Sequence, residues 1–389
     1  MRAPVRRMLD VQTPVIPVVS RWIAETPGTI SLGQGIVSWG PPPEAVEALR
    51  AFPSDPDGHR YGPVEGLPSL VDLVAQKLER ENGIARRGNR IFVTAGGNLA
   101  FMNAVLAITD PGDEIILPVP YYFNHEMAVV MAGCTPVPVA TDGRYQLRLD
   151  ALAAAVTPRT RAIVTVSPNN PSGAVYPEAD LREVNALCRD RGLYHVCDEV
   201  YEYFLYDGAA HFSPASIDGA EEWTISLYSL SKAYGMASWR AGYMVVPEAL
   251  WEAVNKIQDT ILICAPHPVQ EAAAAALKVG RRWTAPRLEP LARMRDRAWK
   301  TLSGVAEVPR ADGAFYYLIK ADTSLDPMTA CERLIRDHRV AVIPGSAFGV
   351  TEGCTLRVSF GALEEATAGE GLDRLAAGLR DLGNVKGKS

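Results

Sequence analysis

Residues 226–243 read SLYSLSKAYGMASWRAGY. An apolar run from Thr224 to Tyr228 leads into a serine-rich turn that carries Lys232, and Arg240 follows eight residues later. Open α/β sheets gather their ligands beyond the carboxyl ends of the strands, which is where this turn falls. Most lysines are solvated surface charges, because burying an unpaired ammonium is costly. Lys232 therefore gains meaning only from its surroundings.

Working outward, short Val- and Ile-rich runs alternate with helical stretches. The runs predict strands at Arg90–Thr94, Glu114–Leu117, Thr135–Val139, Ala162–Val166, Tyr194–Asp198, Thr224–Tyr228 and Ala241–Val246. They lack clean alternation, as strands of a mostly parallel sheet covered by helices on both faces do. Farther on, an alanine-rich stretch, Gln270 to Val279, and the spaced apolar residues Leu288, Leu291, Met294 and Ala298 predict long helices leaving that sheet. Gly313–Leu318, Val340–Ile343 and Thr355–Phe360 read as strands of a smaller α+β unit. The first 45 residues are proline-rich and read as irregular chain packed on that unit. The expected division is thus an N-terminal segment at 1–45, a large domain at 46–285, and a connecting helix with a small C-terminal domain at 286–389.

Composition sets the limits. A chain of 389 residues exceeds the roughly 150 typical of one domain. With 48% hydrophobic and 22% charged residues it reads as folded rather than disordered or fibrous. The formal charge of -6 offers no overall positive field to a phosphate backbone or anionic lipid, so nucleic acid and membrane are not expected partners. Cys134, Cys188, Cys197, Cys264, Cys331 and Cys354 form no C-x-x-C pair and read as small apolar residues in a reducing compartment. Arg2, Arg6 and Arg7 are followed by Pro14 and Pro17 rather than by the apolar run of a signal peptide, and a cytoplasmic location is expected. The six histidines lack metal-ligand spacing, so no metal is expected.

Three further segments surround the lysine turn. YHVCDEVYEYFLY places Asp198 at a strand end and Tyr201 three residues on. VSPNNPSGAVY ends another run in a Pro/Asn/Ser/Gly turn containing Asn170. TAGGNLAFMNAVLAI has a strand end, Gly96 and Gly97, then a helix from Asn98, which leaves backbone amides free for an anionic group such as phosphate. Alone, each reads equally well as an ordinary turn or cap.

In this order and spacing, the four segments resemble the fold-type I pyridoxal-phosphate enzymes, and within them the class I aminotransferases of the aspartate aminotransferase family. GQG at 33–35, RYGPVEGLPSL at 60–70, PYY at 120–122, SPNNPSG at 167–173, DEVY at 198–201, SLSK at 229–232 and LRVSFG at 356–361 carry the resemblance along nearly the whole chain. It implies a large domain with a mostly parallel seven-stranded sheet between helices, a smaller α+β domain, pyridoxal 5'-phosphate as cofactor and a homodimer with shared sites.

The resemblance also implies roles. Lys232 forms the Schiff-base link to the cofactor and later moves a proton between the substrate α-carbon and the cofactor. An amine of depressed pKa suits both tasks. Asp198 pairs with the protonated pyridine nitrogen, and Tyr201 and Asn170 contact the ring's phenolic oxygen, Asn170 also reaching the substrate carboxylate. Gly96, Gly97, Asn98, Ser229 and Arg240 match the phosphate cup. Tyr122 stacks on the ring, and Tyr61 reaches the phosphate of the neighbouring subunit. Arg357 grips the substrate α-carboxylate with its planar fork. Gly35 lets the N-terminal segment close over the substrate.

The implied activity is transfer of the α-amino group of an L-amino acid to a 2-oxo acid by a ping-pong mechanism. Related bacterial aspartate enzymes carry a lysine where this chain has Asn98, and other branches an arginine in the segment matching Gln258 to Pro268, which here has none. With Trp39, Tyr122 and Ile261 to Ile263 as candidate pocket walls, the expected donor is neutral or aromatic, although a mobile arginine such as Arg21 could supply the missing charge. Two other readings stay open: elimination, cyclisation or O2-dependent oxidation on the same scaffold, and a non-catalytic regulator that binds the cofactor or an amino acid.

Overall fold

All seven predicted runs join one sheet in the computed structural model, which describes residues 5–54 and 56–383. Residues 1–4 and 384–389, including Arg2 and the outer ends of the expected N- and C-terminal regions, lie outside the described residues. The strands are Asn89–Thr94, Glu114–Val119, Thr135–Ala140, Thr160–Val166, Tyr194–Asp198, Thr224–Ser229 and Gly242–Pro247. Across the sheet their order by first residue is 89, 242, 224, 194, 160, 114, 135, and only the 242 strand runs antiparallel to its neighbours. Apolar residues of both faces, such as Ile115 and Ile116 or Ile163 and Val164, are buried, because helices cover the sheet on each side.

That topology positions the site. The carboxyl ends of the 89, 114, 160, 194 and 224 strands share one edge, and Ser229 pairs there with Gly242 and Thr94 with Gly242. The helix Gly97–Ile108 starts at this edge, directly after Thr94 and the next two residues.

A second, antiparallel sheet has the order Ile343–Pro344, Cys354–Ser359, Tyr316–Ala321, Ala306–Glu307. Helices Ala285–Leu302, Pro327–His338 and Glu365–Gly383 pack around it in a core containing Leu334, Ile319, Leu356 and Leu375. Two expectations are corrected here. Val340–Ile343 is not one strand: Val340–Ala341 pairs in parallel with Ile30–Ser31, and Ile343–Pro344 joins the antiparallel sheet. The Gly313–Leu318 strand begins only at Tyr316, because Gly313 is drawn into a turn, its amide donating to Gly173 O at 2.9 Å.

The N-terminal region is not irregular throughout. Val15–Glu25 is an 11-residue helix that buries Val15, Val19 and Trp22. Pro17 is its third residue, in the first turn, where no intrahelical amide donor is required. Cys264 is half-buried and the other five cysteines are buried. Among the described residues no helix is long and apolar enough to cross a membrane.

Candidate active site

At the shared strand edge lies a cavity of about 350 Å³ whose walls include Gly35, Gly97, Asn98, Tyr122, Asn170, Asp198, Tyr201, Ser229, Lys232, Arg240 and Arg357. Each arrives by a distinct local route. Asp198 is the last residue of its strand, is buried, and its Oδ1 accepts the amide of Val200 at 3.2 Å. Ser229 caps the four-residue helix Leu230–Ala233, its Oγ accepting the amide of Ser231 at 3.1 Å, and this cap sets the turn from which Lys232 projects. Lys232 Nζ donates to the carbonyl of Gly35, 197 positions earlier.

Burial is the first cause that lowers the Lys232 pKa, followed by the positive charges of Arg357 and Arg240, while Asp198 opposes them. The result is about 8, against an ordinary value of 10.5. An amine in this range is partly neutral near physiological pH and can act as nucleophile and base.

One end of the cavity is suited to a phosphate. Gly97 and Asn98 open the helix there, and helix geometry leaves their amides without intrahelical acceptors. Arg240 Nη2 lies 3.4 Å from Ala95 O, and Nη1 lies 2.8 Å from Ala237 O and 3.4 Å from Ser231 Oγ. Gly96 is required by its surroundings: its φ is +80°, and a Cβ would stand 2.3 Å from Arg240 Nη2.

The other end is suited to a carboxylate. Arg357 is buried, with Nη1 donating to Asn170 Oδ1 at 3.0 Å and Nη2 to Gly33 O at 2.7 Å. Its Nε is buried without a hydrogen-bond partner. Asn170 Nδ2 also donates to Tyr201 OH at 3.3 Å, and Tyr201 shares a 2.9 Å hydrogen bond with Tyr316 OH. Burial pushes the Tyr316 phenol up to about 12 and that of Tyr201 well above its ordinary value, so both are neutral hydrogen-bonding groups.

Three sequence expectations are corrected. Trp39 is absent from the cavity wall, because its indole N–H turns to the carbonyl of Ala233 at 3.4 Å. Ile261 and Ile263, at the end of helix Trp251–Ile261, are 50% and 38% exposed outside the cavity, since that helix buries Val254 and Gln258 instead. Arg21 is an exposed residue paired with Glu25 at 4.0 Å and is not on the cavity wall. Tyr61 is 82% exposed and lies outside this chain's cavity.

Other residues escaped sequence reading. His125 Nε2 stands 3.2 Å from Asp198 Oδ2, with the imidazole stacked on Phe101 at 4.0 Å and its Nδ1 buried without a partner. Its place three residues after Tyr122, at one helical turn's spacing, was the available signal. Ser231 is the second serine of the quoted turn. Ile16, Gln34, Phe123, Val166, Val200 and Tyr316 complete the wall, Gln34 and Val200 from within the quoted blocks GQG and DEVY. Glu199 and Glu202, beside Asp198, face away and pair with His211 at 2.8 Å and Lys77 at 2.5 Å.

A buried amine of lowered pKa, a buried carboxylate, a cradle of helix amides, serine hydroxyls and guanidinium, and a second, incompletely paired guanidinium fit pyridoxal phosphate with an amino acid beside it. Comparison with known proteins agrees. The family model described as aminotransferase class I and II matches residues 27–375. An aromatic aminotransferase of Arabidopsis thaliana is 36% identical over 97% of this chain and 96% of its own. An aspartate aminotransferase of Pyrococcus abyssi is 35% identical over 90% of this chain and 92% of its own. A solved structure of a Thermus thermophilus aspartate aminotransferase tetra mutant, complexed with tryptophan, superposes with a TM-score of 0.89 at 33% identity, covering 97% of this chain and all of that one (100%). The chain belongs to the class I and II aminotransferases, pyridoxal-phosphate-dependent enzymes of fold type I.

Proposed function

We propose that this aminotransferase takes its amino group from a neutral or aromatic L-amino acid and passes it to a 2-oxo acid in two half-reactions at one site. The observation that carries the donor class is the set of cations on the cavity wall. Among the described residues these are Lys232, Arg240 and Arg357. Lys232 is the reacting amine, Arg240 stands with the helix amides, and Arg357 stands with Asn170. No further cation on this wall meets a donor's distal carboxylate, whereas Ile16, Phe123 and Val200 offer apolar surface.

In this reading the helix amides of Gly97 and Asn98, Ser229 and Arg240 hold the cofactor's phosphate. Asp198, oriented by His125, holds the proton on its ring nitrogen, and Tyr122 covers the ring. Bound there, pyridoxal phosphate supplies the electron sink for the charge left on a donor's α-carbon. Lys232 attaches the cofactor and, when freed, its Nζ takes the proton from that α-carbon. Arg357 and Asn170 orient the donor's carboxylate, and Gly35 at the cavity mouth belongs to the segment that shields the site from water.

Tyr61 completes the phosphate site of the other chain in a homodimer. Its exposure and that of Ile36, Ile261 and Ile263 support this. The division at residues 1–45, 46–285 and 286–389 and a cytoplasmic location belong to the same proposal.

The test mixes holoenzyme with single L-amino acids, without acceptor, and follows conversion of the cofactor's absorption to that of its amine form. Phenylalanine, tyrosine or leucine should convert it faster than aspartate or glutamate. Faster conversion by aspartate would refute the donor class. Ammonia release or O2 uptake without an acceptor would replace transfer by elimination or oxidation.

A further inference from the structure

Ala233 follows the reacting lysine, and its carbonyl is held from outside. The helix Leu230–Ala233 is too short to satisfy its last carbonyls internally. Leu230 O accepts the amide of Tyr234 at 3.2 Å, and Lys232 O that of Gly235 at 3.3 Å. Ala233 O receives two side-chain donors instead, Thr284 Oγ1 at 2.7 Å and Trp39 Nε1 at 3.4 Å. Thr284 is 0% exposed and immediately precedes the long helix Ala285–Leu302. Trp39 lies in the loop 32–42, which also contains Gly35, whose carbonyl accepts from Lys232 Nζ. That loop presses on the turn once more: Gly235 has φ +62°, and a Cβ there would stand 2.3 Å from Trp39 O.

We propose that Thr284, with Trp39 as a second and weaker donor, is a positioning residue. It fixes the Ala233–Tyr234 peptide plane, one residue beyond Lys232, and ties the start of helix Ala285–Leu302 to the turn that carries the reacting amine. The proposal rests on the reading of Lys232 as the residue that attaches the cofactor. Its physical basis is asymmetry. A buried carbonyl that loses its short bond keeps only the 3.4 Å contact with Trp39, and the turn relaxes to recover a partner. The side chain of the preceding residue, Lys232, is then re-aimed within a cavity where its burial, and after that its distances to Arg357, Arg240 and Asp198, set its basicity. Trp39 thereby takes a role other than the substrate wall expected from sequence.

The experiment compares wild-type holoenzyme with Thr284→Val, Thr284→Ser and Trp39→Phe. It measures kcat and KM for whichever of L-phenylalanine and L-aspartate the wild type turns over faster, and the pH titration of the holoenzyme's visible absorption band. Thr284→Val keeps the volume and removes the donor, and should lower kcat about tenfold while KM changes less than about twofold. It should also shift the midpoint of the band's titration, which loss of packing alone would not do. Thr284→Ser should restore both, and Trp39→Phe should shift the midpoint in the same direction by less. A Thr284→Val enzyme with wild-type kcat and midpoint overturns the proposal, as does a Thr284→Ser enzyme that behaves like the valine variant. Should the valine variant fail to fold, an unchanged midpoint in Trp39→Phe overturns it. Attachment of the cofactor to a lysine other than Lys232 in the wild type would overturn this proposal together with the reading beneath it.

Discussion

Asp198 and Ser229 end neighbouring strands of one sheet, and Lys232 follows within three residues. Gly35 and Arg357 reach the same cavity from far off in the chain, 197 positions from Lys232 in one case and 187 from Asn170 in the other. The floor of the site is therefore set by strand register and short capped turns, which many backbone hydrogen bonds hold together. The rim is set by single contacts between distant segments: Lys232 to Gly35, and Arg357 to Gly33 and Asn170. Such a division lets chemistry stay fixed while the mouth adapts to substrate. It implies that floor substitutions damage turnover and rim substitutions damage substrate handling.

The largest effect should come from the floor. In the proposed roles Lys232→Ala removes both attachment point and base, and kcat should fall by a factor on the order of a million, measured with the preferred donor. A rate within tenfold of wild type would break the division at its root. Asp198→Asn keeps the shape and deletes the charge, and kcat should fall on the order of 10² to 10³ with little change in KM. A change confined to KM would place Asp198 among the rim residues.

At the rim, Arg357→Lys loses the planar fork but keeps the charge. It should cost about a hundredfold in kcat/KM, carried mainly by KM for both donor and 2-oxo acid. Smaller still, Tyr61→Phe should weaken pyridoxal phosphate binding about tenfold, the loss of one hydrogen bond. The chain that supplies it can be identified: mixing inactive Lys232→Ala chains with Tyr61→Ala chains should raise activity above that of either alone. No gain would assign Tyr61 to a site within its own chain.

The smallest effect concerns stability without cofactor. The Lys232 pKa is lowered to about 8 in the folded chain, against 10.5 ordinarily, so between these values the unfolded chain binds more protons. This residue's contribution to stability therefore rises with pH across that window, as the penalty for a buried ammonium is relieved. Urea midpoints of cofactor-free wild type and Lys232→Met, compared from pH 8 to 10, should diverge in the wild type's favour as pH rises. Parallel curves would show that the amine is not held in a depressed state.

The same floor and rim differ in how far sequence discloses them. The seven strands were legible because both faces are buried, which concentrates Val and Ile into runs such as Glu114–Val119. Asp198, Ser229, Lys232 and Arg240 were legible as neighbours in one cavity through the resemblance that blocks such as DEVY and SLSK carry, since a strand end or turn alone marks only an ordinary cap. The helix Val15–Glu25 was hidden by its prolines, since only its start tolerates Pro17. His125 and Tyr316 were hidden because their partners, Asp198 and Tyr201, are remote in sequence. Trp39 was expected on the pocket wall, whereas the deciding fact, the direction of its N–H toward the carbonyl of Ala233, has no local sequence signal.

The account rests on attachment of the cofactor at one side chain. Borohydride reduction of the holoenzyme, followed by peptide mapping, tests it most directly. The account predicts a single stable pyridoxyl adduct, on the peptide containing Lys232. An adduct on another lysine, or none in protein that shows the cofactor's absorption, would contradict it.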